Sequence, residues 1–220
     1  MPRPRPSAIK VACVDFETYY DKECSVATLG IRKYMEHPLF DPYLVAIHGD
    51  GIEYTGEPAA FDWRKLDGYQ IIAHNASFDE AIFQFYGKPR WCPTWRTQLP
   101  WQCTADLSAF LGLGRSLKDA AKHGLGVEVS KTVRKDMMGK RWAELDADTR
   151  ASWIAYAGED ARLSYQLWKQ YSEKWPASER AMALLERSAG WRGVTVDKDL
   201  VQENILVLRA RVSEILGLIP

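Results

Sequence analysis

The chain has 220 residues, of which 46% are hydrophobic and 12% aromatic, a composition that excludes an intrinsically disordered protein. Its formal net charge is zero at pH 7, so any nucleic acid has to be held by a local basic patch or by metal ions rather than by the field of the whole molecule. The four cysteines form no CxxC pair, which argues against a zinc site or a disulfide framework. No run of residues approaches the roughly 18 apolar residues of a membrane span, so the sequence predicts no membrane partner.

Two carboxylates stand at the end of the first predicted strand. Residues 11–18 read VACVDFET, an apolar run that ends in Asp15 and Glu17. Alternate side chains of a strand share a face, so these two carboxylates point the same way and repel each other at close range. A hard divalent cation such as Mg²⁺ or Mn²⁺ would relieve that repulsion. The run by itself fits an edge strand with two solvated acids equally well.

Short strands and tight turns are predicted to follow. Residues 27–34 and residues 43–48 read as strands, with X-Pro turn signals between them. Asp50-Gly51 before residues 52–54 predicts a tight hairpin. The opening of the chain is therefore predicted to hold three or four strands, with the acidic strand first.

A third acid, Asp79, lies in the first turn of a predicted helix. Residues 71–73 read as a buried strand, and Ser77 with Glu80 forms a capping box that opens a helix ending at Gly87. The helix dipole stabilises a carboxylate in the first turn. Taken alone, Asp79 therefore indicates only a well-formed helix start.

A long helix is predicted from residue 146 to about residue 175. Tyr156 and Asp160 have the i, i+4 spacing that stacks a hydroxyl and a carboxylate on one helix face. Gly158 between them leaves room for a close neighbour, at a cost of about 1 kcal/mol in helix propensity. An ordinary helical tyrosine with a surface aspartate explains the pair when it is considered by itself.

The densest basic segment lies between residues 131 and 141. It fits a loop that binds phosphates and a solvated surface loop equally well, so the sequence leaves both open. Its basic residues are Lys131, Arg134, Lys135, Lys140 and Arg141.

Taken together, the three acidic stretches resemble the motifs of one enzyme superfamily. Asp15-Phe-Glu17-Thr, Asn75-Ala-Ser-Phe-Asp79 and Tyr156-Ala-Gly-Glu-Asp160 stand in the order of the three motifs of the DEDD 3′–5′ exonucleases. The resemblance is to the tyrosine subtype, because the histidine subtype would carry His at position 155, where this chain has Ala.

The segments between these motifs resemble the proofreading domain of phage family A DNA polymerases. The resemblance covers about residues 11–215 and departs from that family at Cys103, where an Asp is common and where we expect only a structural consequence. Polymerase motifs are absent from the sequence. The segments are LGIRKYMEHP at 29–38, CTADL at 103–107, RSLKD at 115–119, LLER at 184–187 and GVTVD at 193–197.

The resemblance implies an α/β fold, a ribonuclease H-like mixed sheet flanked by helices, with a C-terminal helical extension. Residues 1–9, which alternate Pro and Arg, are predicted to form a flexible tail. Residues 10–174 would be the exonuclease domain, and residues 175–220 a helical extension that resembles the linker toward a polymerase domain. The implied location is the cytoplasm of a bacterium or of a phage-infected host, with a polymerase domain as partner in cis or in trans.

The resemblance also assigns roles to the site residues. Four carboxylates would hold two divalent metal ions, Mg²⁺ or Mn²⁺, about 3.5–4 Å apart. Asp15 would bridge both ions, Glu17 and Asp160 would complete the first site, and Asp79 would hold the second. Tyr156 would orient the attacking water, since a phenol with a reference pKa near 10 is a poor base at neutral pH.

The implied function is metal-dependent 3′–5′ exonuclease activity on the 3′ end of single-stranded DNA, releasing 5′-mononucleotides. Phe16 and Thr18 would lie near the terminal nucleotide, and Asn75 and Phe78 would flank the next one. Two alternatives stay open. One is a ribonuclease D-like exonuclease that trims RNA and uses the same acids and tyrosine. The other is a non-catalytic nucleic-acid-binding module of the same fold, against which the complete set of acids argues.

Overall fold

The computed structural model describes residues 9–95, 99–129, 136–193 and 195–218. Within these ranges the sheet has five strands in the order β3-β2-β1-β4-β5. The β1–β2 and β2–β3 pairs are antiparallel, whereas β1–β4 and β4–β5 are parallel, which confirms the predicted ribonuclease H-like mixed sheet. The strands are β1 (Lys10–Thr18), β2 (Pro42–Gly49), β3 (Ile52–Gly56), β4 (Tyr69–Ala73) and β5 (Trp101–Cys103).

Helices follow most strands and continue to the C-terminal region. They are α1 (Val26–Glu36), α2 (Ala76–Ala81), α3 (Lys88–Trp91), α4 (Thr104–Phe110), α5 (Leu117–Leu125), α6 (Ala147–Tyr171), α7 (Ala177–Arg192) and α8 (Lys198–Gly217). Side chains cap α5 and α8, because Ser116 accepts a hydrogen bond from the Asp119 N–H and Asp197 accepts one from the Leu200 N–H. Among the described helices, none has the length and apolar composition that crossing a bilayer requires.

Strand β1 is buried at the centre of the sheet and packs on both faces. On one face, the Phe16 ring stacks on Trp63 and Trp91 at centroid distances of 5.7 and 5.8 Å. On the other face, the Cys13 thiol forms a hydrogen bond with the Ser164 side chain of α6. Because side chains alternate along a strand, Asp15 and Glu17 share the face of Cys13 and point toward α6.

Asp50, predicted only as a turn residue, ties the β2–β3 hairpin to both β1 and α6. Its carboxylate accepts hydrogen bonds from the Val11 N–H at 2.9 Å, the Tyr165 hydroxyl at 2.5 Å and the Lys169 ammonium at 3.2 Å. Burial acts to raise the pKa of Asp50, but these hydrogen bonds outweigh it and the pKa is lowered. The contact fixes where α6 crosses β1.

The predicted strand at residues 27–34 is wrong, because these residues lie in helix α1. Ser25 caps the helix by accepting a hydrogen bond from the Thr28 N–H, and Gly30, at φ 73°, puts a kink in it. The inward side chains are Leu29 before the kink and Ile31, Tyr34 and Met35 after it. The last three follow helical spacing rather than strand alternation. The opening of the chain therefore has three strands and one helix in its described part.

The predicted capping box at Ser77 and Glu80 is also wrong. The N-cap of α2 is Asn75 in the left-handed conformation, at φ 74°, and the Ser77 hydroxyl donates to the Asn75 side-chain oxygen at 3.0 Å. The helical path does not end at Gly87 either, since it runs through a π-helical turn over Ile82–Gly87 into α3. Gly87 is required because a Cβ there would overlap the ring of Trp91.

The chain divides into two compact units, Met1–Leu184 and Leu185–Pro220. The first contains the sheet and the core. The second contains the end of α7 and all of α8, whose apolar side chains are exposed. This agrees with the predicted C-terminal helical extension, while the predicted domain boundaries stay predictions. The predicted tail lies outside the described residues except for Ile9, and so do residues 131–135 of the basic segment.

Candidate active site

The acids predicted from three distant stretches lie at one edge of the sheet. Strands β1 and β4 run parallel, so their carboxyl ends meet. Asp15 and Glu17 lie at that end of β1, and Asp79 lies in the first turn of α2, which follows β4. Tyr156 and Asp160 lie one turn apart on α6, which covers the face of β1 that carries the two acids.

Asp79 is joined directly to β1. Its side chain is 2% exposed, and its Oδ1 accepts a hydrogen bond of 2.9 Å from the N–H of Phe16, the residue between Asp15 and Glu17. Burial raises the pKa of Asp79 well above its usual range, and the nearby charge of Asp15 raises it further. Asp79 is therefore more than a favourable residue at a helix start.

Tyr156 lies close to three of the acids. Burial raises the pKa of its hydroxyl, as do the charge of Asp160 and the hydrogen bond to its carboxylate, followed by the charges of Glu17 and Asp15. The Tyr156 ring stacks on Trp153 at a centroid distance of 5.1 Å. The phenol is thus held in place as a neutral hydrogen-bond donor among carboxylates.

The Cys13 thiol provides a second indication that the acids are close together. It is fully buried, and its pKa is raised by burial first and then by the charges of Asp15, Asp79 and Asp160. Three acids separated by up to 145 positions in the chain thus act electrostatically on one buried atom.

The donor set fits a hard divalent cation. All four acids offer oxygen ligands, the kind that Mg²⁺ and Mn²⁺ prefer. The raised pKa of Asp79 shows that negative charge is costly there, and a cation would relieve that cost. In the described part of the chain, no group of three or more His, Cys, Asp or Glu side chains is already arranged as a metal site.

The four predicted substrate contacts differ in their accessibility. The Phe16 ring, at 4% exposure, lies in the aromatic core and offers no stacking surface. Thr18 is also buried, and its hydroxyl forms a 2.7 Å hydrogen bond with the Tyr34 hydroxyl. Asn75 is exposed, and Phe78 is half-buried against the core. Of the four, Asn75 and Phe78 have surface that a ligand can reach.

His74 holds the turn before Asn75, a role the sequence did not indicate. Its Nε2 donates to the Arg115 carbonyl, and its Nδ1 forms a hydrogen bond with the Thr104 hydroxyl, each at 3.0 Å. Burial lowers the pKa of His74 to about 4, so the ring is neutral at pH 7. In the sequence, only its position directly before the Asn75 motif indicated that His74 lies near the site.

Two other residues have structural roles that support the site. Tyr34, misassigned to a strand, bonds both the Thr18 hydroxyl and the Tyr19 carbonyl beside the acids of β1. Cys103 is 2% exposed, and its sulfur accepts a 3.4 Å hydrogen bond from the Asp106 N–H at the start of α4. Cys103 therefore caps α4, while the expected effect of its departure from the family pattern stays a prediction.

Comparison with solved structures identifies the fold. Brucella melitensis NrnC with bound Mg²⁺ is 19% identical with a TM-score of 0.52, and the match covers 85% of this chain and 89% of that one. Escherichia coli RNase D, an exoribonuclease involved in structured RNA processing, is 16% identical with a TM-score of 0.51, over 84% of this chain and 46% of that one.

The chain shares the ribonuclease H-like fold of these structures. These neighbours agree with the superfamily resemblance of the three motifs, but they do not support the narrower resemblance to polymerase proofreading domains. No protein-family model matches the chain, and no curated protein matches its sequence.

Proposed function

We propose that the protein is a metal-dependent 3′–5′ exonuclease that shortens single-stranded RNA one nucleotide at a time. The observation that carries the proposal is the convergence of carboxylates from β1, α2 and α6, with the buried Asp79 bonded to the backbone between Asp15 and Glu17. A purely structural role does not account for a buried acid placed beside another acid, because that arrangement costs free energy.

In this proposal Asp15, Glu17, Asp79 and Asp160 hold the divalent ions. When bound, such ions would activate water and neutralise charge on the phosphate. The Phe16 N–H fixes the Asp79 carboxylate, so one ligand keeps its orientation before any ion arrives.

Tyr156 acts as an orienting donor in this proposal. Its raised pKa keeps the hydroxyl protonated, so it does not act as the base. The proton is now donated to the Asp160 carboxylate, and the hydroxyl would donate to the attacking water when that carboxylate holds an ion. The stack on Trp153 limits movement of the ring, which keeps the donor in one position.

RNA is the favoured substrate because the solved structures that share the fold include an exoribonuclease, RNase D. Single-stranded DNA is the second candidate. It is favoured by residues 29–38 and 193–197, which resemble polymerase proofreading domains and the passage toward a polymerase domain.

The test uses a single-stranded RNA and a DNA of the same sequence, each labelled at the 5′ end. With Mg²⁺ or Mn²⁺ we expect a ladder that shortens by single nucleotides, faster for RNA, and no cleavage in chelator or with Asp15→Ala. The control is Asp62→Asn, which removes an exposed acid paired with Arg64 and should cleave normally. Faster cleavage of DNA would favour the proofreading function. Binding without cleavage under every condition would favour the non-catalytic module.

A further inference from the structure

Residues 137–144, in the segment before α6, pack against the chain just beyond the acidic end of β1. Met137 is 3% exposed, and the Gly139 N–H donates to the Tyr20 carbonyl at 2.8 Å. Trp142 stacks on Tyr43 with a centroid distance of 5.2 Å and an interplanar angle of 9°. The described part of the predicted basic segment is therefore fixed beside the site.

Arg141 lies at the centre of this contact. Its guanidinium carbon is 4.2 Å from the centroid of the Tyr19 ring, and Tyr19 is two residues beyond Glu17. Arg150 supports the backbone just beyond Arg141 by donating to the Trp142 and Ala143 carbonyls at 3.2 and 2.8 Å. Stacking on an aromatic ring fixes the plane of a guanidinium and leaves the in-plane N–H groups available for an oxyanion.

The charge of Arg141 is not matched by an ion pair. Within the described ranges, Arg64, Arg115 and Arg162 each pair with a carboxylate, whereas Arg141 forms no such pair. The charge of Arg141 acts to lower the pKa of Asp41, but burial has the larger effect and the pKa of Asp41 is raised. A half-buried guanidinium with unused hydrogen-bonding capacity thus lies beside an edge where a nucleic-acid strand would have to end.

We propose that Arg141 binds a backbone phosphate of the substrate strand upstream of the scissile bond, with Tyr19 holding the guanidinium in position. This inference rests on the proposed function, which brings a polyanion to this edge. For the described part of the basic segment, it favours a loop that binds phosphates over a solvated surface loop. The chain has zero net charge and its site is acidic, so neither attracts a nucleic acid over long range. A phosphate contact at Arg141 supplies that attraction locally.

The test measures binding of a fluorescein-labelled single-stranded RNA in chelator, by anisotropy, over a series of salt concentrations. Each phosphate contact to a single strand contributes a slope of about 0.7 in log affinity against log salt. We expect Arg141→Gln to lower that slope by about 0.7 and to weaken binding about three- to tenfold. Arg141→Lys, which keeps the charge and loses the planar fork, should retain the slope and lose less affinity.

The matched control is Arg64→Gln, which removes an arginine already paired with Asp62 and should leave both slope and affinity unchanged. Thermal unfolding of each variant separates a lost contact from a lost fold. The proposal is overturned if Arg141→Gln binds with the wild-type slope, or if Arg141→Gln and Arg141→Lys both lose affinity in proportion to lost stability.

Cleavage by the wild-type protein tests the proposed function separately. An active exonuclease whose binding slope does not depend on Arg141 would overturn the phosphate site alone. A protein that fails to cleave but whose RNA binding depends on Arg141 would contradict the exonuclease and support the phosphate site. With an active enzyme, Arg141→Gln should raise KM by more than it lowers kcat, because the contact precedes the chemical step.

Discussion

At the scale of single residues, Asp79 carries the most information about the site. A buried carboxylate beside Asp15 is destabilising, whereas its hydrogen bond from the Phe16 N–H is stabilising. The two contributions come from different features of the same side chain, the charge and the acceptor oxygen. An amide keeps the acceptor and removes the charge, so substitutions at Asp79 can separate them.

Asp79→Asn is expected to leave thermal stability unchanged or higher and to reduce cleavage at least about 100-fold, because losing a metal ligand removes several kcal/mol of transition-state stabilisation. Asp79→Ala should lower stability by about 1–3 kcal/mol, since it leaves the buried Phe16 N–H without an acceptor. Denaturant unfolding and the ladder assay measure the two effects. A strongly destabilised Asn variant would mean that the charge is structural.

Tyr156→Phe tests the orienting hydroxyl. We expect kcat to fall about 10- to 100-fold with metal affinity retained, because a positioned donor is lost while the ring and its stack on Trp153 remain. The measurement is single-turnover cleavage together with a Mn²⁺ titration. Unchanged turnover would remove Tyr156 from the mechanism.

At the scale of elements, the turn between β4 and α2 determines where Asp79 lies. Asn75 adopts a left-handed conformation that costs free energy for a non-glycine residue, and His74 clamps the turn through Thr104 and the Arg115 carbonyl. Burial disfavours the protonated imidazole and lowers the pKa of His74 to about 4. The turn is therefore sensitive to acid.

The expected pH dependence follows from the pKa of His74. Its folded value of about 4 lies below the ordinary 6.5, so the unfolded chain binds the proton more readily and stability falls as pH drops from 6.5 toward 4. Between pH 7 and pH 4.5 the loss from this group should be about 2–3 kcal/mol. Urea unfolding at both values should show a smaller difference in His74→Gln. An equal difference in the two proteins would exclude His74 as the cause.

At the scale of the whole molecule, the order of the strands creates the site. The parallel pairing of β1 with β4 brings residue 15 beside residue 79, and α6 adds residues 156 and 160 from the far end of the first unit. Asp50 fixes α6 on β1 through Val11, Tyr165 and Lys169. A divalent ion bound at this edge would connect three elements and so stabilise the folded state.

Mg²⁺ or Mn²⁺ is therefore expected to raise the melting temperature in a concentration-dependent way, because binding adds about 2.7 kcal/mol to the free energy of unfolding at 100 times the dissociation constant. Chelator should reverse the shift without unfolding the protein, since the sheet and core form independently of the edge. Asp79→Asn should abolish most of the shift, and Asp62→Asn, the remote acid control, should retain it. An identical shift in both variants would place the ion elsewhere.

The sequence predicted the strands at residues 11–18, 43–48 and 71–73 because their burial shows as local apolar runs. It failed at residues 27–34, where burial is only partial and the helical spacing of Ile31, Tyr34 and Met35 was missed. It also failed at the capping box, because the left-handed Asn75 takes the capping position in a turn that His74 holds through contacts to residues 104 and 115.

The sequence by itself determined which acids to consider, because the motifs at residues 15–18, 75–79 and 156–160 are short and depend on local spacing. Only the tertiary structure decided what surrounds them. It buried the Phe16 ring, bonded Asp79 to the β1 backbone and placed Arg141 over Tyr19. Each of these contacts joins residues at least 47 positions apart, and no local pattern of side chains specifies such a pair.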